Sequence, residues 1–442
     1  MEKLSVFGTG YLGATHAAGM AELGHEVIGV DVDAAKIERL KAGEVPFFEP
    51  GLPELLRKHV DSGRLRFTTD AAEAADFADV HFIGVGTPQK KGENAADMRF
   101  VDAVIDTLAP MLTRPAVILG KSTVPVGTAA RLADKVRELA PVGDKAELGW
   151  NPEFLREGFA VEDTLRPDRL VLGVDRATPG TIEEVARRVY APILERETPF
   201  VVTDLATAEL VKVSANAFLA TKISFINAIA AVCEVTGADV KELADAIGYD
   251  DRIGRKFLGA GIGFGGGCLP KDIRAFMARA GELGVDHELG FLREVDGINL
   301  RRREHVVSMA EKAVGGSLKG KQVAVLGAAF KPNSDDIRDS PALDVAGKLH
   351  LAGAAVRVYD PEAMANAEAV WPTLDYADSV ESAVAGAEVV VVATEWQQFR
   401  DADPKALAKV VGSPYMIDAR NCLDPQSWQD AGWTYKGLGR YA

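Results

Sequence analysis

The stretch LSVFGTGYLG at residues 4–13 decides the fold of the first half of the chain. Its apolar run ends at Gly8, and the glycines at 8, 10 and 13 have the spacing GxGxxG where a strand would pass into a helix. Gly8 permits a tight turn, Gly10 lets a pyrophosphate approach the backbone, and Gly13 lets the helix pack closely on the strand. The pattern predicts a dinucleotide-binding α/β domain, and the alternative is a glycine turn without a ligand.

The acidic residue that closes the next predicted strand indicates which dinucleotide binds. Asp31 ends HEVIGVD at 25–31, 18 residues after Gly13. A carboxylate at this position binds the adenosine ribose hydroxyls and repels a 2′-phosphate. We therefore expect NAD rather than NADP.

Short apolar runs alternate with amphipathic helical stretches in two parts of the chain. In the first part, predicted buried strands lie at 4–8, 25–31, 80–86, 116–122, 146–152 and 170–175. After the linker GGSLKGK at 315–321, the predicted strands lie at 322–327, 355–360, 388–394 and 415–420. This alternation predicts a parallel doubly wound sheet in each part.

A long helical pattern at 204–239 separates the two α/β parts and contains neither Pro nor Gly before Gly237. It is too long for a crossover and suits a spine between domains. A glycine-rich loop at 259–267 follows, and more helix is expected from about 271 to 314. We therefore expect two Rossmann-like doubly wound domains joined by a long central helix, with domains at 1–203, 204–314 and 315–442.

Composition excludes several classes of protein. The 442 residues carry a net charge of −15, which argues against nucleic acid or an anionic membrane as partner. No uninterrupted apolar run reaches the roughly 18 residues of a membrane helix. Because the first predicted strand begins at residue 4, we expect no signal peptide. Three scattered cysteines favour a reducing cytoplasm over a disulfide framework, and no metal site is expected.

Cys268 lies in the most distinctive segment of the chain, GIGFGGGCLPKD at 261–272. Glycines allow close backbone approach to a ligand, so substrate can reach a thiol held there. Lys271 and Asp272 are near enough in sequence to favour the thiolate or to handle protons. The alternative is a buried structural cysteine beside a glycine turn.

Polar motifs follow three of the predicted strands, at the sheet edge where ligands bind in open α/β folds. Two of these motifs are Gly86-Thr87-Pro88 and Ser122-Thr123-Val124-Pro125. Their hydroxyls either bind a ligand at this edge or belong to ordinary turns. In the third, NPEFLREG at 151–158, Glu153 and Glu157 would share one face of a helical turn. They either take part in proton transfer or are a solvated pair.

Cations occur in two further places. Lys212 and Asn216 are four residues apart on the long helical pattern, with Asn227 nearly in phase, so they face a polar site or Lys212 pairs at the surface with Glu209. Lys331 and Arg338 follow the first strand of the second α/β part and suit phosphate or cofactor contact, or lie in a solvated loop. That strand lacks a second GxGxxG, so a second dinucleotide site is not expected.

Seven segments, in this order, resemble the UDP-glucose/GDP-mannose dehydrogenases, a family of NAD-dependent, four-electron nucleotide-sugar dehydrogenases. The segments are the GxGxxG turn, VGTP (85–88), STVPVGT (122–128), NPEFLREG (151–158), ELVKVSANAFLATKISFIN (209–227), GIGFGGGCLPKD (261–272) and FKPNSDDIRDSP (330–341). The resemblance covers essentially the whole chain. It implies that residues 204–314 dimerise and that 315–442 bind the UDP-sugar.

The resemblance also implies catalytic roles. Cys268 would be the nucleophile, Lys212 would stabilise oxyanion charge near C6 of the sugar, and Asn216 would help to bind that oxyanion. Asp272 and Thr123 would position a water. Glu153 would handle protons during hydrolysis, and Glu157 would lie near the nicotinamide.

Binding roles follow from the same resemblance. The implied cofactor-binding residues are Gly8, Gly10, Tyr11, Leu12, Gly13, Asp31, Lys36, Thr87, Thr123, Glu157 and Arg338. The implied substrate-binding residues are Glu153, Phe154, Leu155, Lys212, Asn216, Arg252, Phe257, Gly265 and Lys331. Arg252 resembles an arginine that in several members reaches the sugar across a dimer interface.

The implied reaction is oxidation of UDP-glucose at C6 to UDP-glucuronate with two NAD⁺, in a cytoplasmic homodimer. A thiol suits this chemistry because it captures the aldehyde as a thiohemiacetal and then carries a thioester. Close alternatives are dehydrogenases of GDP-mannose or UDP-N-acetylmannosamine. A two-electron NAD enzyme, in which Cys268 is incidental, and a non-catalytic NAD sensor are alternatives from other classes.

Overall fold

The computed structural model describes residues 1–176 and 180–440. The chain divides into two compact units, one made of Met1–Ala215 with Arg274–Leu283 and the other of Asn216–Ile273 with Gly284–Ala442. The three-domain division at residues 203 and 314 concerns sequence modules rather than compact units, and it stays a prediction.

The first unit is built on a single sheet with helices on both faces. Its strands are β1 (Lys3–Phe7), β2 (Glu26–Val30), β3 (Leu65–Thr68), β4 (Val80–Ile83), β5 (Ala116–Gly120), β6 (Ala146–Trp150), β7 (Leu170–Val174) and β8 (Phe200–Asp204). Its helices are α1 (Tyr11–Glu22), α2 (Ala34–Lys41), α3 (Leu52–Asp61), α4 (Ala71–Phe77), α5 (Arg99–Leu108), α6 (Thr128–Leu139), α7 (Ala160–Leu165), α8 (Ile182–Val189) and α9 (Ala191–Leu194). Alternate residues of β1 enter different cores, Leu4 and Val6 on one face and Phe7 on the other.

The strand order is β3-β2-β1-β4-β5-β6-β7-β8, which confirms the doubly wound sheet. The pairing is parallel except between β6 and β7, where Trp150 pairs with Gly173 in antiparallel fashion. The expectation of a wholly parallel sheet was therefore wrong at this one junction. Two edge strands, β3 and β8, were not predicted from sequence.

The glycines of the first turn have different structural reasons. Gly8 has a φ of 89°, and a Cβ there would lie 2.8 Å from the Val85 backbone. A Cβ on Gly13 would lie 1.7 Å from the Gly8 carbonyl oxygen. A Cβ on Gly10 would meet no described atom within 4 Å. The fold itself requires the first and last glycines, whereas the middle one leaves open space at the start of α1, which fits the approach of a dinucleotide.

The long helical pattern forms α10 (Leu205–Thr236), which ends three residues before the predicted boundary at 239. By length and composition alone, α10 is apolar enough to cross a membrane, a test that the core helix of a soluble protein also passes. The absence of an uninterrupted apolar run therefore does not decide whether α10 crosses a membrane. The helices that follow are α11 (Val240–Gly248), α12 (Leu269–Glu282) and α13 (Phe291–Ala313). The helix expected from about 271 to 314 is present as α12 and α13, which are separated at 283–290, where Gly284 has a φ of 74°.

The second unit contains the other sheet. Its strands are β9 (Gln322–Leu326), β10 (Ala355–Tyr359), β11 (Asp375–Tyr376), β12 (Val389–Val392), β13 (Tyr415–Asp418) and β14 (Thr434–Gly437), in the all-parallel order β11-β10-β9-β12-β13-β14. The helices around this sheet are α14 (Pro341–Leu351), α15 (Met364–Val370), α16 (Val380–Val384), α17 (Gln397–Arg400), α18 (Pro404–Leu407) and α19 (Pro425–Asp430).

Asp360 follows β10 at the position that corresponds to Asp31 after β2. Its carboxylate accepts hydrogen bonds from the Ala328 and Ala329 backbone amides at 2.8 and 3.0 Å and from the Trp396 indole at 3.0 Å. The other oxygen of Asp360 accepts from the Glu362 and Ala363 amides at 3.0 and 2.9 Å, and the residue is 1 % exposed, whereas Asp31 is only partly buried. That the second sheet lacks a full dinucleotide site stays a prediction.

Candidate functional site

The predicted ribose-binding carboxylate is held at the end of β2. Asp31 Oδ2 accepts hydrogen bonds from the Thr9 amide at 2.8 Å and from the Lys36 ammonium at 2.9 Å. Burial opposes ionisation, but bonds from Lys36, Asp33 and Thr9 outweigh it and lower the pKa of Asp31. The carboxylate is therefore charged and fixed beside the glycine turn, as recognition of a ribose requires.

The side chain of Tyr11 extends from the glycine turn toward two other segments. Its hydroxyl donates to the Glu49 carboxylate and accepts from the Gly158 amide at 3.1 Å. Burial first, and then the Glu49 and Glu157 carboxylates, raise the pKa of this hydroxyl. Leu12, the next predicted cofactor residue, is partly buried.

The two predicted hydroxyl motifs meet beyond the ends of β4 and β5. Thr87 is buried, and its hydroxyl donates to the Thr123 carbonyl at 2.8 Å. Ser122 donates to the Val85 carbonyl at 2.6 Å. The adjacent carboxyl ends of parallel strands thus bring these hydroxyls to one edge of the sheet.

The NPEFLREG segment is an irregular loop, so the expected helical turn that pairs Glu153 with Glu157 was wrong. Glu153 instead forms an ion pair with Lys212, with 3.0 Å between Oε1 and Nζ. Lys212 is 4 % exposed, which excludes a surface lysine. Glu209, the alternative partner, accepts hydrogen bonds from the Gly127 and Ala129 amides at the start of α6.

Phe154 and Leu155, which follow Glu153 in the loop, are partly buried. The Phe154 ring lies beneath two cations, with its centroid 3.9 Å from the Arg169 guanidinium carbon and 5.5 Å from Lys212 Nζ. Cation–π contacts of this kind fix the ring and with it the backbone next to Glu153.

Cys268 is exposed and directly precedes α12. A helix N-terminus favours the thiolate, because the partial positive charge of its amides stabilises an anion. The alternative of a buried structural cysteine is therefore wrong for Cys268. It describes Cys233, which is buried, and in part Cys422, whose pKa is raised by burial.

Asp272 lies one turn into α12 and is 1 % exposed. It accepts a hydrogen bond from the Asn216 amide at 2.7 Å and forms an ion pair with Lys271. The second unit therefore brings together two predicted catalytic side chains, the Asn216 amide on α10 and the Asp272 carboxylate on α12, the helix that Cys268 precedes.

Side chains from distant parts of the second unit fix the glycine-rich loop before Cys268. Asn227 accepts from the Gly261 amide at 2.9 Å. Asn299 accepts from the Phe264 amide at 2.7 Å and donates to its carbonyl at 2.9 Å. Buried Asn227 thus supports the loop, and Asn299, which sequence reasoning missed, does the same. A buried Asn on α13 with no neighbouring motif gave no signal in the sequence.

The other predicted ligand contacts lie on loops of the second unit. Arg252 is exposed and paired with Asp250, and Phe257 has a φ of 66° and is 40 % exposed. Arg338 forms an ion pair with Asp336 at 2.7 Å. Gly265 is buried against the Asp339 carbonyl. Lys331 Nζ lies 5.3 Å from the centroid of the Phe330 ring.

Family models match almost the whole chain. The NAD-binding domain of the UDP-glucose/GDP-mannose dehydrogenase family matches residues 2–194, its central domain matches 206–301, and its UDP-binding domain matches 324–425. These matches follow the order of the predicted segments.

Named relatives extend over the full length. A UDP-glucose 6-dehydrogenase of Rhizobium meliloti (strain 1021) is 43 % identical over 440 residues, 99 % of each chain. The solved structure of a UDP-glucose dehydrogenase from Pyrobaculum islandicum has a TM-score of 0.91 at 38 % identity and covers 100 % of this chain and 98 % of its own. A UDP-D-ManNAc dehydrogenase from Pyrococcus horikoshii has a TM-score of 0.86 at 26 % identity, with 99 % of each chain covered.

Proposed function

Because the chain belongs to the UDP-glucose/GDP-mannose dehydrogenase family and is an NAD-dependent oxidoreductase, we propose that it oxidises UDP-glucose at C6 to UDP-glucuronate. The observation that carries the four-electron reaction is the placement of Cys268, which is exposed at the start of α12 and one turn before the buried Asp272. An enzyme that stopped at the aldehyde would have no use for a nucleophile there.

NAD⁺, when bound, accepts a hydride in each of the two oxidations. The Cys268 sulfur adds to the C6 aldehyde to form a thiohemiacetal, whose oxidation leaves a thioester. Water then adds to the thioester carbon, and the C–S bond breaks to release the carboxylate and return the thiolate. Covalent attachment keeps the reactive aldehyde from leaving between the two oxidations.

The remaining roles follow the family resemblance and agree with the local chemistry. Lys212, buried and paired with Glu153, suits stabilisation of oxyanion charge, and Asn216 would donate to the same oxygen. Asp272 and Thr123 would position the water, and Glu153 would take a proton during hydrolysis. Glu157 would contact the nicotinamide, and Asp31 would bind the ribose hydroxyls.

We propose that the active form is a cytoplasmic homodimer in which α10 packs against a second copy. Phe218, Phe225 and Val232 are seven residues apart along α10 and are at least half exposed, so they form one apolar stripe. Buried polar side chains on the same helix, among them Glu209 and Lys212, favour a protein interior over a lipid bilayer. Nucleic acid is not a partner in this proposal, because the chain carries a net charge of −15.

A panel of nucleotide-sugars tests the proposed function. Initial rates of NADH formation would be measured with UDP-glucose, GDP-mannose and UDP-N-acetylmannosamine, and NADH would be counted at complete conversion of a limiting amount of sugar. We expect the highest kcat/KM with UDP-glucose and two NADH per sugar. A preference for another sugar would overturn the substrate, and one NADH per sugar would overturn the four-electron reaction.

A further inference from the structure

The loop Asn151–Phe159 carries both predicted carboxylates, yet it lies outside any helix or strand. Its position therefore depends on side chains that bind its backbone. At its start, the buried Lys121 ammonium donates to the Asn151 side-chain oxygen at 3.0 Å and to its carbonyl at 3.3 Å. The end of the loop, next to Glu157, is held by a different residue.

That residue is Glu49, on the irregular segment between α2 and α3, and it is 1 % exposed. One carboxylate oxygen accepts from the Gly158 amide at 2.6 Å and from the Tyr11 hydroxyl, and the other accepts from the Ala160 amide at 2.7 Å. Three donors thus converge on one buried carboxylate. A carboxylate offers acceptors on both oxygens, whereas a glutamine would turn its nitrogen toward one of these donors.

The three donors come from two functional segments. Tyr11 lies within the GxGxxG turn, whereas Gly158 and Ala160 lie one and three residues after Glu157. The Phe47 ring, two residues before Glu49, packs on the Tyr11 ring with centroids 5.0 Å apart. The Glu157 carboxylate is near enough to contribute, after burial and Glu49, to the raised pKa of Tyr11.

We propose that Glu49 is a positioning residue that fixes the Glu157 loop relative to the dinucleotide turn. It does so by joining Tyr11 to the Gly158 and Ala160 amides. Its role rests on the proposed function, in which Glu157 lies near the nicotinamide. Because displacement of about 1 Å in an active site can cost roughly 10²-fold in rate, loss of this junction would act on kcat.

The test compares Glu49→Gln with Glu54→Gln, which changes an exposed glutamate of the same region. Active sites would first be counted by titration with NADH, so that kcat refers to folded, cofactor-binding protein. We expect Glu49→Gln to lower kcat by about 10–100-fold, to weaken NADH binding, and to leave the KM for UDP-glucose within about threefold. Glu54→Gln should match the wild type in all three.

A merely structural Glu49 would lower the number of NADH-binding sites and the melting temperature while kcat per site held, and that result would overturn the proposal. If Glu49→Gln fails to fold, Tyr11→Phe decides, because it removes the hydroxyl that contacts Glu49 and the Gly158 amide and leaves both amide bonds to Glu49. We expect a fall of about 3–10-fold in kcat per site there, and an unchanged kcat would overturn the proposal. Failure of the wild type to oxidise any nucleotide-sugar would instead refute the proposed function.

Discussion

Asp31 accepts hydrogen bonds from both the glycine turn and Lys36. Its substitution by asparagine therefore removes a negative charge and also leaves the Lys36 ammonium without its partner carboxylate. Wild-type enzyme should prefer NAD⁺, because the carboxylate repels a 2′-phosphate. Asp31→Asn should raise the NADP⁺/NAD⁺ ratio of kcat/KM by at least about tenfold, since the repulsion ends and Lys36 is released to attract the phosphate. Steady-state kinetics with both cofactors measure this ratio, and equal efficiencies in the wild type would refute the role of Asp31.

Lys121 offers a test at the residue scale that does not depend on activity. Burial, the largest influence, lowers its pKa to about 8, with Glu153 raising and Lys212 lowering it further. A lysine in an unfolded chain titrates near about 10.4. Between these values the unfolded chain holds a proton that the folded protein has released, so the free energy of unfolding rises with pH, by about 3 kcal/mol in total.

Melting temperatures of the wild type and Lys121→Met, followed from pH ~7.5 to ~10.5, measure this effect. We expect the difference between the two proteins to shift in favour of the wild type as pH rises, because only the wild type carries the titrating ammonium. The change common to both proteins reports all other groups and cancels in the difference. A difference that stays constant over this range would contradict the pKa of Lys121.

At the level of elements, the sequence predicted the buried parts of the fold better than its edges. Strands β1, β2 and β4 were recognised because apolar residues fill both faces, whereas β3 and β8 lie at sheet edges and contain exposed residues. The spacing of Glu153 and Glu157 suggested that they share one face of a helical turn, but residues 151–159 form a loop. Tertiary hydrogen bonds overrode that local pattern.

The candidate site shows the same limit. Cys268, Lys212 and Asp272 stand in distinctive motifs, so sequence reasoning found them. Glu49 and Asn299 act through hydrogen bonds to backbone far along the chain, such as the 109 positions between Glu49 and Gly158. No local spacing encodes a contact of that kind.

Asn299 is the element-scale test of the glycine-rich loop. Asn299→Ala leaves the buried Phe264 amide without its acceptor, whereas Arg303 still donates to the Phe264 carbonyl at 3.1 Å. An unsatisfied buried group costs about 1–3 kcal/mol, so we expect a lower melting temperature together with a reduced kcat. Asn366→Ala, at an exposed asparagine on α15, is the matched control, and equal melting temperatures for the two variants would contradict the role of Asn299.

At the scale of the whole molecule, the apolar stripe on α10 predicts the oligomeric state. Sedimentation equilibrium should give the mass of two chains, and Phe225→Asp should shift it toward one, because a charge would be buried at the interface. Val370→Asp is the control, since Val370 is also an exposed apolar residue, at 61 % against 50 % for Phe225, but lies on α15. A wild-type monomer, or a Phe225→Asp protein that remains dimeric, would contradict the placement of the interface.

The covalent role of Cys268 is tested most directly by the kcat of three single variants, Cys233→Ser, Cys268→Ser and Cys422→Ser, measured beside their melting temperatures. Cys268 is exposed, so serine there should leave melting near normal, while formation of UDP-glucuronate falls by roughly 10³-fold or more, as on removal of other covalent nucleophiles. The buried Cys233 and half-buried Cys422 should show the reverse pattern, with lower melting temperatures and retained kcat. Near-normal turnover in Cys268→Ser would contradict the thioester route and the four-electron reaction that depends on it.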